Sequence, residues 1–341
     1  MLEKHKKISY FLSNTYLLFK LMARIFDIKY HIPPTKITNT FLSKKFPKWT
    51  AENIFLKTGI KERGEAAENV TAGDLAISAA KKLFESIDIN KDAIDMLIFV
   101  TQTPNQCLPS TSCEIHSELS LAERCGTFDV NQGCTGYIYG LNLASSLIDS
   151  GSANYVLILT GDTYTKLLDK NDPSVNPIFG DGASASLIGP DLNNSDKSIG
   201  RFEFGTDGSK ANFLNCSFGG FRKNKKDWSS LYMNGAEIMT FTLKIIPKAI
   251  KDYLIKYELD IKEIDLFVFH QANKFILDRL YKKTDINEKG VICLENFGNT
   301  VSTSIPIALA KSIDFKNKRN IKILIVGFGV GLSWGITYLK V

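Results

Sequence analysis

Residues 94–101 read IDMLIFVT, and residues 264–271 read IDLFVFHQ. The two stretches lie 264 − 94 = 170 residues apart in a chain of 341, so their offset is close to half of the chain. Each is an apolar run typical of a buried strand, and each follows a lysine-bearing stretch with helical character. We interpret them as an internal duplication, although chance similarity between two buried strands is the alternative. Duplication predicts a pseudo-twofold molecule with a site where the ends of equivalent strands meet.

The rest of the chain alternates between strand-like and helix-like segments, which predicts an α/β protein whose sheets are covered by helices. No Pro-rich or Gly-rich linker separates two halves, but residues 191–198 and 215–228 are polar enough to be surface excursions. Strands are predicted at residues 95–100, 153–160 and 321–326, and helices at residues 76–87, 112–119, 137–149, 237–259 and 305–312.

Composition excludes several classes of protein. With 341 residues and 44% hydrophobic content, the chain can bury a large core and is not disordered. Its net charge of +6 suggests a mildly basic face for acidic partners, but is too small for a nucleic-acid-binding protein. The six cysteines form no CxxC pair, so we expect free thiols, a cytoplasmic location and no metal site.

The first 21 residues form a separate segment. Residues 4–7 are mostly basic and residues 8–19 are mostly apolar, as in a signal peptide or a membrane-surface helix. Polar residues interrupt the apolar run, which is also too short to span a bilayer. We therefore expect an N-terminal extension at residues 1–21, either an accessory helix or a misassigned start with Met22 as the true beginning.

Cys134 is the first candidate for a catalytic residue. It lies in DVNQGCTGY, residues 129–137, where a strand-like run breaks at Gly-Cys-x-Gly and a helix follows. The unpaired N–H groups and the positive end of a helix favour the thiolate, which is the nucleophilic form of cysteine. The placement predicts a nucleophile, provided that other segments supply a base and an oxyanion site.

His270 and Asn299 are the candidate partners of Cys134. His270 ends the repeated strand and is followed by Gln271-Ala272-Asn273, at the kind of strand end where α/β proteins gather site residues. Asn299 follows Gly298 and offers an amide donor just before a predicted helix. The other histidines have less suggestive settings in the tail, a turn-like stretch and a helix: His5, His31 and His116.

A glycine-rich turn is the candidate oxyanion site. Residues 327–335, GFGVGLSWG, lie between two strand-like runs, and the glycines allow a backbone N–H to come close to a bound carbonyl. A phosphate cradle is the alternative interpretation. However, neither a helix start nor a P-loop lysine follows the turn.

Six motifs in this order resemble the β-ketoacyl-acyl carrier protein synthase III family of thiolase-fold condensing enzymes. The resemblance runs from about residue 22 to residue 341. The motifs are TGIKER at 58–63, GCTGYIY at 133–139, FGDGASA at 179–185, HQAN at 270–273, GNTVSTSIP at 298–306 and GFGVGLSWG at 327–335. Six ordered motifs are far more specific than any one of them.

The resemblance implies a thiolase-like fold of two duplicated βαβαβαββ halves in α-β-α-β-α layers. We expect an N-terminal half at residues 22–190 that carries the nucleophile. A C-terminal half at residues 191–341 would carry His270 and Asn299. The family's geometry also implies a homodimer.

The resemblance further implies a reaction. Cys134 would take an acyl group from a coenzyme A or carrier-protein thioester, with the backbone N–H groups of Cys134 and Val330 as the oxyanion hole. His270 and Asn299 would stabilise the enolate formed when malonyl-acyl carrier protein loses CO₂. Attack of that enolate on the acyl group gives a 3-oxoacyl product, and the resemblance implies no metal or redox cofactor.

Two positions depart from the family pattern for nucleotide binding. Members that start fatty-acid synthesis carry a tryptophan and an arginine that sandwich the adenine of coenzyme A, and these positions correspond to Asn53 and Pro173. Lys57 keeps a positive charge where the family has another nucleotide-contacting arginine. We therefore expect a specialised member of lipid metabolism, for a secondary metabolite or a surface-glycan acyl group, rather than the housekeeping initiator of fatty-acid biosynthesis.

Further departures concern the carrier protein and the acyl pocket. Phe275 replaces an arginine that is usual for carrier docking, and Leu108 replaces a bulky aromatic at the acyl-pocket gate of the dimer interface. The candidate substrate-binding and carrier-binding residues are Lys57, Leu108, Asn273, Lys274, Arg279, Lys282 and Lys283. Two rival functions stay open: acyl transfer to an alcohol or amine without decarboxylation, and a non-catalytic thiolase-fold subunit.

Overall fold

The computed structural model describes residues 22–192, 198–221, 230–316 and 320–341. The predicted N-terminal extension, residues 1–21, lies outside the described residues, as do parts of both predicted surface excursions. The elements of the first half are β1 Ala23–His31, β2 Lys36–Thr38, α1 Asn39–Lys45, α2 Ala51–Thr58, β3 Glu62–Gly64, α3 Ala72–Ser86, β4 Ile94–Val100, α4 Thr111–Glu118, β5 Gly126–Val130, α5 Gly136–Asp149, β6 Tyr155–Asp162 and β7 Gly182–Pro190.

The second half repeats the order of most large-sheet strands and of the helices packed on them, and the predicted strands and helices of both halves are present with small shifts of their ends. Its elements are β8 Ser198–Thr206, β9 Leu214–Asn215, β10 Tyr232–Met233, α6 Gly235–Lys256, β11 Leu266–Phe269, α7 Lys274–Thr284, α8 Ser304–Ser312, β12 Lys322–Gly329 and β13 Ser333–Lys340.

Strand order confirms the predicted duplication. The first large sheet runs β1-β7-β6-β4-β5 and the second runs β8-β13-β12-β11, so four strands correspond one to one. The parallel and antiparallel pairings also correspond: β4 pairs with β6 as β11 pairs with β12. An isolated parallel bridge between Phe267 and Gly290 stands where β5 stands in the first half. The repeated stretches are therefore the equivalent strands β4 and β11.

Both faces of each large sheet are buried, which explains the unbroken apolar runs. In β4, Ile98 belongs to a central core shared with α5 and α8, whereas Leu97 packs with α3 and α4 on the outer face. In β12, Ile325 belongs to the same central core, whereas Leu324 packs with α6 and α7. Alternate residues of a strand point to opposite faces, so each strand serves two layers. The resulting order of layers is the predicted α-β-α-β-α.

The central core contains residues from both halves, so the two sheets share one apolar interior with α5 and α8 between them. All strands of the first sheet come from residues 23–190, and all strands of the second come from residues 198–340. The division into halves at residue 190 nevertheless stays a prediction.

Candidate active site

Cys134 lies between the end of β5 and the start of α5, as the sequence predicted. Its side chain is buried, with 6% of the residue exposed. Gly136 begins α5, and a Cβ there would lie 2.4 Å from Val100 Cγ1 of the neighbouring strand β4. The glycine therefore lets the helix start close to the sheet, which holds Cys134 at the ends of the strands.

The turn after β12 places backbone atoms of the second half against Cys134. A Cβ at Gly329 would lie 2.7 Å from Cys134 Sγ, so only a glycine fits there. The backbone N–H groups of Val330 and of Cys134 itself lie close enough to the sulfur to lower the pKa of its thiol. The two predicted oxyanion donors are thus neighbours of the atom that would carry an acyl group.

Burial decides the protonation of Cys134. Removal from water raises the pKa of its thiol to about 12, with a smaller contribution in the same direction from the nearby Asp162 carboxylate. The hydrogen bonds from the Val330 and Cys134 N–H groups lower the pKa, but less than burial raises it. The predicted direction was therefore wrong for the free protein, where Cys134 is a thiol.

His270 follows the last residue of β11 and is buried, with 2% exposed. Its Nδ1 lies 2.7 Å from Ser304 Oγ, at the start of α8, and the backbone N–H of Gln271 donates to the same Oγ at 3.4 Å. Burial lowers the pKa of His270 to about 3, opposed by a smaller contribution from the Val301 backbone. The imidazole is therefore neutral near pH 7, so one of its nitrogens is a donor and the other an acceptor.

Asn299 is held by its backbone and by its side-chain oxygen. Its backbone N–H donates to Ile178 O at 2.9 Å, and its Oδ1 accepts from the Val301 N–H at 2.9 Å. Because the oxygen is engaged, the Nδ2–H groups are the part of the side chain left for a bound molecule. Gly298, before it, has φ of +70°, and a Cβ there would lie 2.9 Å from Ile178 O, which confirms the predicted tight backbone path.

One cavity of about 220 Å³ brings Cys134, His270 and Asn299 together from three separate segments of the chain. Asn273 also lines it, and the exposed Ser174 belongs to its wall. The remaining wall is mostly apolar and includes Phe179, Leu214, Met233, Ile238, Ile276 and Phe328. Such a site can hold a linear, largely apolar ligand and present a thiol, an imidazole and an amide to one part of it.

The other predicted binding residues lie outside this cavity. Lys57 Nζ lies 4.5 Å above the ring of Trp49, and Leu108 is 83% exposed. On α7 the predicted basic residues are all exposed. Lys274 Nζ forms a salt bridge with Asp278 at 2.6 Å, and the Arg279 guanidinium lies 3.9 Å from the centre of the Phe275 ring. Lys283 donates a hydrogen bond to Leu243 O at 2.7 Å, and the neighbouring Lys282 is exposed.

Sequence reasoning missed polar residues that support the site. Ser304 contacts His270, and Asp162 accepts hydrogen bonds from the Gln102 N–H at 2.8 Å, the Ser302 N–H at 3.2 Å and the Ser302 hydroxyl. Burial raises the pKa of Asp162 to about 7 in spite of these donors. Both serines lie in the motif at 298–306, so the sequence held a signal for them, whereas Asp162 carried none.

Comparison with known proteins decides the family. Family models described as 3-oxoacyl-[acyl-carrier-protein] synthase III and its C-terminal part match residues 128–208 and 254–341. The beta-ketoacyl-[acyl-carrier-protein] synthase III of Natranaerobius thermophilus is 35% identical over 330 residues, covering 93% of this chain and 99% of the relative. The chain belongs to the synthase III family. It is therefore a condensing enzyme of the acyltransferase class.

Solved structures of the synthase III family confirm the thiolase-like fold. A 3-oxoacyl-(acyl-carrier-protein) synthase III crystal structure is 40% identical with a TM-score of 0.90, covering 94% of this chain and all of the other. A 3-oxoacyl-(acyl-carrier protein) synthase from Burkholderia xenovorans is 33% identical with a TM-score of 0.89, covering 94% and 95%. Within the described ranges, no group of three or more His, Cys, Asp or Glu side chains could hold a metal ion.

Proposed function

We propose that Cys134 accepts an acyl group from a thioester and that the enzyme condenses it with a malonyl-acyl carrier protein thioester. The cavity shared by Cys134, His270 and Asn299 carries this proposal. In the first step the sulfur attacks the donor carbonyl, the donor thiol leaves with the proton of Cys134, and an acyl-Cys134 thioester forms. Between the attack and the departure of the donor thiol, the N–H groups of Cys134 and Val330 stabilise the oxyanion of the tetrahedral intermediate.

His270 and Asn299 act in the second step as hydrogen-bond donors to the malonyl thioester oxygen. The Ser304 hydroxyl accepts from the Gln271 N–H, so its own proton can be donated to His270 Nδ1. That assignment puts the imidazole proton on Nε2, where it can be donated. Asn299 provides a second donor, its Nδ2–H, because its Oδ1 already accepts a hydrogen bond from the Val301 N–H.

Carbon dioxide loss and carbon–carbon bond formation then follow. The bond between the malonyl carboxylate and its α-carbon breaks, and its electron pair forms the enolate that His270 and Asn299 stabilise. The α-carbon attacks the acyl carbonyl on Cys134, the sulfur leaves as a thiolate that takes a proton from water, and a 3-oxoacyl thioester remains on the carrier. Preorganised donors of this kind stabilise a transition state by ~3 kcal/mol each.

The exposed basic residues of α7 support docking of an acidic carrier protein. Arg279 and Lys282 are exposed on α7, and Asn273, which caps this helix, and Ile276 in its first turn line the cavity. A carrier bound on this face would have its thioester arm close to the cavity. Lys57, with its charge above the Trp49 ring, is proposed as a second contact for a phosphate of the donor.

Assembly, location and cofactor use are also proposals. We propose a homodimer in which the exposed Leu108 reaches the partner, and a cytoplasmic enzyme that works without a cofactor. In the ranges that the structure describes, no helix is long and apolar enough to cross a membrane. All six cysteines are free, which is compatible with a reducing compartment.

Intact-mass measurement after incubation with acyl-coenzyme A or acyl-carrier thioesters tests the acylation step. We expect one acyl adduct on the wild-type chain, and none on Cys134→Ala, because the proposal assigns the nucleophile to the Cys134 sulfur that shares the cavity with His270 and Asn299. Cys216→Ala is the matched control, since Cys216 packs in the same apolar cluster as Cys134. An adduct that survives Cys134→Ala, or no adduct on wild type, would contradict the proposal and favour a non-catalytic subunit.

A further inference from the structure

Thr242 has a buried hydroxyl that no other part of the described protein uses. The residue lies on α6 with 0% of its surface exposed, and its Oγ1 has no hydrogen-bond partner. Thr240, two residues earlier on the same helix, donates to Ala236 O at 2.9 Å in the usual way for a helical threonine. A buried hydroxyl without a partner is unfavourable for the free protein, so its retention calls for an explanation.

Thr242 lines the cavity that contains Cys134 and His270. A molecule bound in this cavity could therefore provide the missing hydrogen-bond partner. Three residues of α6 line this cavity, and their exposure falls along the helix from the exposed Gly235 through the half-buried Ile238 to Thr242. Seven residues of α-helix span about 10 Å. The cavity therefore follows α6 inward from the surface, with Thr242 towards its inner end.

We propose that the Thr242 hydroxyl forms a hydrogen bond with an amide of the substrate's thioester arm. This inference rests on the proposed function, in which coenzyme A or carrier thioesters enter the cavity. Their arms are linear chains interrupted by secondary amides, which suits a narrow, mostly apolar passage along a helix. An amide that leaves water needs a partner in that passage, and Thr242 offers both a donor and an acceptor there.

Kinetics of Thr242→Val test the proposal, because valine keeps the shape and removes only the hydroxyl. With a malonyl-pantetheine thioester as the probe, we expect a KM about fivefold to tenfold higher and a kcat changed much less. The Tm should be unchanged or higher, because an unsatisfied hydroxyl is removed from the interior. Thr242→Ser should keep the wild-type KM, and Thr240→Val is the matched control with no effect on KM.

The same variants with a malonyl thioester of a simple alkyl thiol, which has no amide, identify what Thr242 contacts. We expect Thr242→Val and wild type to have equal kcat/KM with this probe. An equal loss with both probes would show that the hydroxyl contacts the malonyl or acyl part, and would overturn the assignment. An unchanged KM with the pantetheine thioester, or a lowered Tm, would also overturn it. Failure of the wild-type enzyme to form any 3-oxoacyl product would instead refute the proposed function.

Discussion

At the scale of single residues, Ser304 Oγ lies 2.7 Å from His270 Nδ1, and in the proposed mechanism its hydroxyl donates to that nitrogen. We predict that Ser304→Ala lowers the rate of condensation about tenfold, because the ring loses the contact that, in the proposed mechanism, keeps the proton on Nε2. Acylation of Cys134 should be unaffected, since His270 is not required for it in the proposal. Steady-state condensation and intact mass of the acyl adduct measure the two steps separately.

Ser145→Ala is the control for that prediction, because it also removes a buried serine hydroxyl. The Ser145 hydroxyl donates a hydrogen bond to Leu141 O in its own helix α5 at 2.7 Å. It should leave the rate of condensation as it is. Equal losses in both serine variants would show a general effect of destabilisation. Equal losses of acylation and condensation in Ser304→Ala would contradict the positioning role.

The low pKa of His270 predicts a pH dependence of stability. The unfolded chain binds a proton on this imidazole below its ordinary pKa of 6.5, whereas the folded protein binds it only below about 3. Stability from this residue is therefore present above pH 6.5 and is lost as the pH falls towards 3. Between pH 7 and pH 5 we expect a loss of about 2 kcal/mol that is absent from His270→Gln. Urea unfolding at both pH values measures it, and identical pH slopes in the two proteins would refute the prediction.

At the scale of elements, the contact between α5 and β4 sets the position of Cys134. A Cβ at Gly136 would lie 2.4 Å from the stiff Val100 side chain, so Gly136→Ala must push the helix away from the strand. We predict a free energy of unfolding lower by about 1–3 kcal/mol and slower acylation of Cys134. Denaturant unfolding and the adduct assay provide the two measurements.

Gly200→Ala is the matched control for the helix prediction, because no atom lies within 4 Å of a Cβ at that strand position. It should leave both stability and acylation close to wild type. Val100→Ala combined with Gly136→Ala should restore part of the acylation rate, because it removes the clashing methyl groups. If Gly136→Ala alone proves neutral, the close packing of helix on strand is not what positions Cys134.

Elements were largely predictable from sequence because both faces of each sheet are buried. Repetition of one apolar run was enough to identify β4 and β11 as equivalent strands, and the structure has His270 at the predicted strand end, where it lines the cavity. The counterpart of β5 in the second half is only the isolated bridge between Phe267 and Gly290. No local sequence pattern predicted this difference. It depends on pairing with β11, which is a long-range property.

Long-range contacts also explain what sequence reasoning did not find at the site. The pKa of Cys134 is set by burial under the Gly329 turn, which lies 329 − 134 = 195 residues further along the chain. The local motif at residues 133–139 indicated that Cys134 precedes a helix. It contained no information about the distant turn that buries the sulfur. Likewise, no local motif surrounds Thr242, and only the folded chain brings it into the cavity wall with Cys134 and His270.

At the scale of the whole molecule, polar contacts between the two halves hold the site together. Thr160 Oγ1 lies 2.8 Å from Thr303 Oγ1, and Thr135 Oγ1 lies 3.1 Å from Ser333 Oγ. The carboxylate of Asp162 accepts from Ser302 across the same interface. Each half alone holds only part of the proposed machinery, with Cys134 in the first and His270 and Asn299 in the second. The duplication therefore accounts for the two similar sheets. The proposed site requires both halves, because each contributes different residues.

In the proposed reaction, acyl-Cys134 is consumed by a decarboxylated malonyl group. The most direct measurement is the release of labelled CO₂ from malonyl-carrier labelled in its free carboxyl, with an acyl donor present and the product analysed by mass. We predict CO₂ and 3-oxoacyl product in equal amounts from wild type, and loss of both in His270→Ala and Asn299→Ala with the acyl adduct on Cys134 retained. Transfer of the acyl group to an alcohol or amine acceptor without any CO₂ release would contradict the claim.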